Sequence, residues 1–243
     1  MIGCVSKSVI IETVDLNGKG EKIMKIYFVN GSPRKKWNTG TVLKKAAEGA
    51  ASQGAETELV NLYDLKYKGC VSCFACKMIG GKFHGKCAQK DDLTPILEKL
   101  SAADGIVFGT PIYFYNITSG MQAFLERFFF PYDLYSREIV SGYTQKIPSG
   151  FIYTMNMSAE SMHKAGIDTN VKAGQLFAEE ILGMKPEVLY VNNTYQFSNY
   201  SKYESSKFSE TEKAVYKQAQ FPIDCQKAFE MGQKIAEKNL REK

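Results

Sequence analysis

The sequence predicts a doubly wound α/β fold, a parallel sheet covered by helices on both faces. Short β-prone runs alternate with segments of helical apolar spacing. Gly105 to Gly109 is continuously apolar, as a strand buried on both faces must be. The first strand is followed by Gly31-Ser32-Pro33, a loop signal at the sheet edge where such folds bind ligands.

Residues 1–23 show no sustained periodicity and read as an extension that is not native, ahead of a single domain over 24–243. Lys19 to Met24 is what a purine-rich ribosome-binding sequence and its spacer would encode in frame, which makes Met24 the expected start; an edge hairpin at Asn17-Gly18 is the alternative. Lys25 to Asn30 is the first strand, and apolar positions 43, 46, 47 and 50 form the first helix face. Glu56 to Asn61 is a strand, Leu93, Ile96, Leu97 and Leu100 share a helix face, and Gly105 to Gly109 is the central strand. Ser119 and Gln122 make a capping-box pattern before Met121, Phe124, Leu125 and Phe128. Ile147 to Met155 and Glu187 to Val191 supply two more strands, joined through a helix ending near Gly183. Asn192 to Ser209 is loop-like, and Cys225, Phe229, Gly232 and Ala236 line a terminal helix. Five strands with four or five helices require right-handed crossovers and therefore helices on both faces.

Composition narrows the function. At 44% hydrophobic and 23% charged, the 243-residue chain is globular rather than disordered. The net charge of +5 is dispersed, which argues against nucleic acid, and no apolar run approaches the roughly 18 residues of a membrane span. With no signal-peptide pattern in the sequence, a cytoplasmic, reducing location and free thiols are expected.

Gly31-Ser32-Pro33-Arg34-Lys35-Lys36-Trp37-Asn38-Thr39-Gly40 matches neither nucleotide glycine fingerprint. It is rich in hydroxyls and amides at a helix start. Ser32, Asn38 and Thr39 with the helix N-terminus suit a phosphate monoester, and Arg34 adds charge. The alternative is that Ser, Asn and Thr only cap the helix beside a solvated basic turn.

Gly31-Ser32-Pro33-Arg34 with Asn38-Thr39, the Cys70-Val71-Ser72-Cys73-Phe74-Ala75-Cys76 run with Cys87 and Asp91-Asp92, and Gly109-Thr110-Pro111-Ile112-Tyr113-Phe114 followed by Ser119-Gly120 and Ala123-Phe124 occur in one order. In these motifs the chain resembles the flavodoxin-like NAD(P)H-dependent FMN reductases and iron–sulfur flavoproteins. Lys25 to Phe128 carries the likeness; Trp37 departs from the small residue usual before Asn-Thr. The resemblance implies a flavodoxin-like five-stranded sheet of order 2-1-3-4-5 and an FMN cofactor. Ser32, Arg34, Asn38 and Thr39 would hold its phosphate. Thr110, Pro111, Ile112, Tyr113, Phe114 and Asn116 would contact the ring, and Thr154 and Met155 would close another edge. The loop aromatics alone fit a flat ring equally with simple packing over the core.

The spacing C-x2-C-x2-C-x10-C places Cys70, Cys73, Cys76 and Cys87 as conditional ligands of a [4Fe–4S] cluster in a Cys-rich loop at 70–87. Iron–sulfur flavoproteins usually have a shorter last interval. Zinc with His84, or free redox-active thiols, are the other readings. Cys225 reads as a buried inert thiol, Cys4 belongs to the extension, and His163 reads as a loop or helix-start residue.

The implied activity is an FMN-dependent NAD(P)H oxidoreductase, with no catalytic side chain required: hydride passes from nicotinamide to flavin N5 and on to a flavin, quinone, nitro, azo or protein acceptor. The alternative is an iron–sulfur flavoprotein electron carrier that exchanges electrons with ferredoxin. Phe128-Phe129-Phe130-Pro131-Tyr132 is apolar enough to suggest a subunit contact, and a homodimer or homotetramer is expected.

Overall fold

The computed structural model describes residues 23–138 and 141–241. The extension with its hairpin alternative and Cys4 lies outside the described residues, apart from Ile23.

Strands β1 (Lys25–Asn30), β2 (Glu56–Asn61), β3 (Gly105–Tyr113), β5 (Ser149–Thr154) and β6 (Glu187–Val191) form the parallel sheet, in the order β2-β1-β3-β5-β6. The flavodoxin-like order is as expected. One strand was not anticipated: β4 (Asn116–Ile117) pairs antiparallel with the end of β3, Tyr113 opposite Asn116.

Side chains alternate between the two faces, as strand geometry requires. Tyr27, Val29, Ile106, Phe108, Phe151 and Tyr153 point to one core, while Ile26, Phe28, Val107 and Ile152 point to the other. The first core is covered by α2 (Thr94–Leu100), α3 (Ser119–Phe129) and α5 (Ile167–Leu182). The second is covered by α1 (Asn38–Ser52) and α7 (Phe221–Arg241).

Several expectations need correction. The cap of α3 is Thr118, one residue before the expected capping box; its Oγ1 accepts from the Met121 amide at 3.3 Å. The single helix expected after β5 is two, α4 (Ala159–Lys164) and α5, because Gly166 adopts a left-handed conformation between them. A further helix, α6 (Glu210–Ala219), precedes α7. His163 lies in the last turn of α4, exposed, with Nδ1 2.9 Å from Asp168.

The aromatic run is not a surface patch. Phe128 and Phe129 are buried in the chain's own core, each within 6.3 Å of the Phe108 ring, so they need no second subunit to cover them. Cys225 is only partly buried, and desolvation raises its thiol pKa. Among the described residues no helix is long and apolar enough to cross a membrane.

Candidate functional site

The loop joining β1 to α1 is built by short-range constraints. Buried Asn30 accepts the Ser32 amide on Oδ1 at 3.0 Å and donates from Nδ2 to Asn61 at 2.9 Å, fixing the exit from β1. The Gly31 amide donates to the Gly109 carbonyl at 2.8 Å, and Thr118 Oγ1 donates to the Gly31 carbonyl at 2.8 Å, so three segments meet at one edge. A side chain at Gly40 would put Cβ 1.8 Å from the Lys35 carbonyl oxygen; only glycine lets the loop close onto the helix.

Helix α1 starts without a side-chain cap. Its N-cap is Trp37, which offers no oxygen, and there is no acid in the first turn. The reading of Ser, Asn and Thr as mere caps is therefore not what the structure shows. Amides in the first turn lack intrahelical acceptors, and the dipole favours an anion there.

The predicted residues divide into three groups. Buried Thr39 and Thr154, 115 residues apart in sequence, meet at 2.7 Å between hydroxyls. Ser32 is buried, its Oγ accepting the Arg34 amide at 3.2 Å. Arg34 and Asn38 instead turn toward residues 192–200: Arg34 donates to the Gln196 carbonyl at 2.7 Å, and Asn38 to the Tyr195 carbonyl at 3.0 Å. Trp37 donates its indole N–H to that same Tyr195 carbonyl at 3.1 Å. This segment forms a strap across the loop.

The aromatic segment is a hairpin tip, not an extended loop. Phe114 and Tyr115 both have positive φ, 48° and 63°, in a two-residue turn that ordinarily selects Asn-Gly. Bulky residues pay for that conformation in strain, a feature found at functional sites. The Phe114 side chain is fully exposed (101%), and Tyr113 and Tyr115 are also exposed. Pro111 and Ile112 are half-buried below them, and Asn116 Oδ1 accepts the Ile117 amide at 2.8 Å. Thr110 is buried as a brace, accepting the Thr118 amide at 3.3 Å. Met155 is buried in the core rather than open at the edge.

Two groups at this edge escape sequence reading. Asn156 Oδ1 is buried with no hydrogen-bond partner among the described residues, an acceptor suited to an N–H or O–H of a ligand. Lys213 of α6 is buried and donates to the Asn156 carbonyl and to Asn193, joining the loops after β5 and β6. Burial pulls its pKa down to about 8.

An uncapped helix start, the Gly40 closure, an orphan acceptor and exposed aromatics together fit a phosphate-bearing planar cofactor. The donor set is incomplete only where Arg34 and Asn38 are committed to the strap.

The four cysteines of the second motif border one void of about 20 Å³. Between Cys76 and Cys87 the chain makes successive turns at Gly81, His84 and Lys86, with Gly80 and Gly85 left-handed, and so returns Cys87 to the other three despite the long interval. Ser72 and Phe74 are left-handed as well, and the Ser72 amide points at Cys70 Sγ at 3.5 Å. Buried Arg127 ties both ends of the loop to α3: Nε donates to Cys87 Sγ at 3.3 Å, Nη1 to the Lys68 carbonyl at 3.2 Å and to Asp91, and Nη2 to the Gln89 carbonyl at 3.3 Å. Its signal in the sequence is a charge set within the apolar face of Phe124, Leu125 and Phe128. Burial raises the Cys76 thiol pKa. Exposed His84 does not border the void, and among the described residues no three His, Cys, Asp or Glu converge on a point that would hold a single metal ion, as zinc requires. A cubane holds its thiolates further apart than one ion does.

The family model described as NADPH-dependent FMN reductase matches residues 24–147. Over 104 residues, 43% of this chain, the sequence is 36% identical to an iron-sulfur flavoprotein of Methanocaldococcus jannaschii and 41% identical to one of Archaeoglobus fulgidus. The chain spans about half the length of these curated relatives, 51% and 48%. Among solved structures, an NAD(P)H:quinone oxidoreductase from Methanothermobacter marburgensis superposes with TM-score 0.64 at 14% identity, covering 87% of this chain and 98% of that one. An azoreductase from Bacillus anthracis gives TM-score 0.60 at 12% identity, covering 87% and 100%. At these identities the structural likeness speaks for the fold.

Proposed function

The chain belongs to the NADPH-dependent FMN reductase family, and on that premise we propose that it is an FMN-dependent NAD(P)H oxidoreductase that passes electrons to a small-molecule or protein acceptor. The observation that carries this reading is the start of α1, a helix N-terminus with neither a side-chain cap nor an acid, at the carboxyl edge of a parallel sheet.

The residues' work is to bind, orient and exclude water. The first-turn amides, Ser32 and Thr39 would hold the phosphate dianion, with Thr154 fixing the Thr39 hydroxyl. Asn156 would accept from a hydroxyl or ring N–H. The hairpin aromatics would offer π-faces to a flat ring, and Arg34 and Trp37 would keep the strap over the phosphate end. Bound FMN supplies hydride acceptance and onward electron transfer, so no side-chain nucleophile is needed.

A second function is supported by one observation, the convergence of Cys70, Cys73, Cys76 and Cys87 on one void. These thiols would hold a [4Fe–4S] cluster, which supplies one-electron exchange with a carrier such as ferredoxin. The experiment is anaerobic purification with flavin, iron and sulfide analysis, followed by stopped-flow mixing with NADH and NADPH. Stoichiometric FMN bleached by either nucleotide supports the oxidoreductase; matching iron and sulfide supports the cluster. Protein that takes up no FMN on titration refutes the first reading, and protein without iron and sulfide refutes the second.

A further inference from the structure

We infer that the strap makes the phosphate site a blind end that selects FMN over FAD, an inference that rests on the FMN reading. Such an end admits a terminal phosphate monoester and rejects a dinucleotide, whose phosphate continues into a second nucleotide. A monoester approaches from one side and leaves its other oxygens to be held. A pyrophosphate needs an exit on the far side as well.

The strap closes that far side. Arg34 donates to the Gln196 carbonyl at 2.7 Å, while Trp37 and Asn38 both donate to the preceding carbonyl, Tyr195, at 3.1 and 3.0 Å. The Arg34 guanidinium stands 4.7 Å from the centre of the Trp37 ring, so the two side chains meet the strap as one layer. The strap is braced from outside too. The Gln196 amide donates to the Tyr200 hydroxyl at 3.0 Å, and Phe197 stacks on Tyr203 with ring centres 4.3 Å apart and planes 12° from parallel. The Tyr195 hydroxyl donates to Glu210 of α6 at 3.0 Å.

Lys213 is the fastening. Only 4% exposed, its ammonium donates to Asn193 Oδ1 at the root of the strap and to the Asn156 carbonyl, and Asn156 Nδ2 donates in turn to Gln196 Oε1 at 2.8 Å. Both oxygens it binds are neutral, and among the described residues it pairs with no carboxylate. Burying an ammonium on neutral oxygens is costly, so stability alone would favour an apolar side chain there. What the ammonium secures is the course of the strap from Asn193 to Gln196, where Arg34, Trp37 and Asn38 meet it.

The test titrates the full-length protein, freed of flavin, with FMN, FAD and riboflavin by equilibrium dialysis. FMN should bind more than about a hundredfold tighter than FAD, and more than about tenfold tighter than riboflavin, which lacks the phosphate. Lys213→Met and Trp37→Phe each loosen the strap. FAD should bind Lys213→Met at least about tenfold tighter, and Trp37→Phe about threefold tighter, than it binds the parent. Damage to the site in general would instead weaken both flavins. The selection is overturned if the parent binds FAD or riboflavin as tightly as FMN, or if FAD gains affinity in neither variant. Should Lys213→Met fail to fold, Trp37→Phe decides. If the parent takes up no flavin at all, the flavin reading falls, and the strap is judged with glycerol 3-phosphate and glycerophosphocholine, a monoester and a diester. Their binding is followed through the emission of Trp37, the single tryptophan. A response to the monoester alone keeps the blind end; a response to both, or to neither, overturns it.

Discussion

Replacing Arg127 with methionine keeps an apolar stem of similar reach and removes the guanidinium that closes the cysteine loop. The side chain is 0% exposed and its partner Asp91 19%, so the pair is well shielded from solvent. Breaking such a pair by deleting one member costs about 3–5 kcal/mol, because the remaining charge stays buried without its counterion. Asp91 keeps one bond, accepting the Leu93 amide at 3.1 Å, which places the expected loss near the lower end. The Lys68 carbonyl also loses its donor, whereas the Gln89 carbonyl keeps the Thr94 hydroxyl at 2.9 Å. At roughly 2–4 °C per kcal/mol for a chain of this size, a loss of about 3 kcal/mol should lower the melting temperature by about 6–12 °C. The loss should be local first: hydrogen exchange and limited proteolysis should show residues 68–91 opening before the sheet. Arg127→Lys should recover part of the loss, since one ammonium cannot serve four acceptors in a plane. In a double-mutant cycle with Asp91→Asn the effects should be strongly non-additive. A variant within about 1 kcal/mol of the parent, or additive effects in the cycle, would refute the claim that this ion pair holds the loop.

Gly40→Ala should leave the far-UV dichroism unchanged but lower FMN affinity by about 10- to 100-fold in a flavin-fluorescence titration, because its Cβ meets the Lys35 carbonyl. Phe114→Gly should raise stability in urea by about 0.5–1 kcal/mol by relieving the left-handed turn, while slowing NAD(P)H oxidation; a loss of stability would rule out strain at the tip. Lys213 gives a pH dependence of definite sign. Its folded pKa of about 8 lies below the 10.5 of an unperturbed lysine, so the unfolded chain binds more protons between those values and stability rises with pH across that window. Lys213→Met should remove a rise of up to about 3 kcal/mol, read as the difference between variant and parent in urea at pH 7, 8.5 and 10.

The sequence by itself determined the sheet. Runs such as Lys25 to Asn30 and Gly105 to Gly109, spaced by helical patterns, leave a parallel doubly wound arrangement as the consistent packing, because strand and helix periods are local properties. It also marked the loops: Gly31 to Gly40 and the four cysteines stand out by residue type alone. Tertiary structure decided what those residues touch. Thr39 finds Thr154, Arg34 and Asn38 are drawn to the strap, and Arg127, on a helix face that reads as core, becomes the anchor of the cysteine loop. The aromatic run ending α3 was misread as a surface patch because apolarity does not say which neighbour covers it; Phe108 does. Hydrogen bonds and burial between segments more than a hundred residues apart depend on chain crossings that carry no local periodicity, and so they become visible only when the fold has brought the segments together.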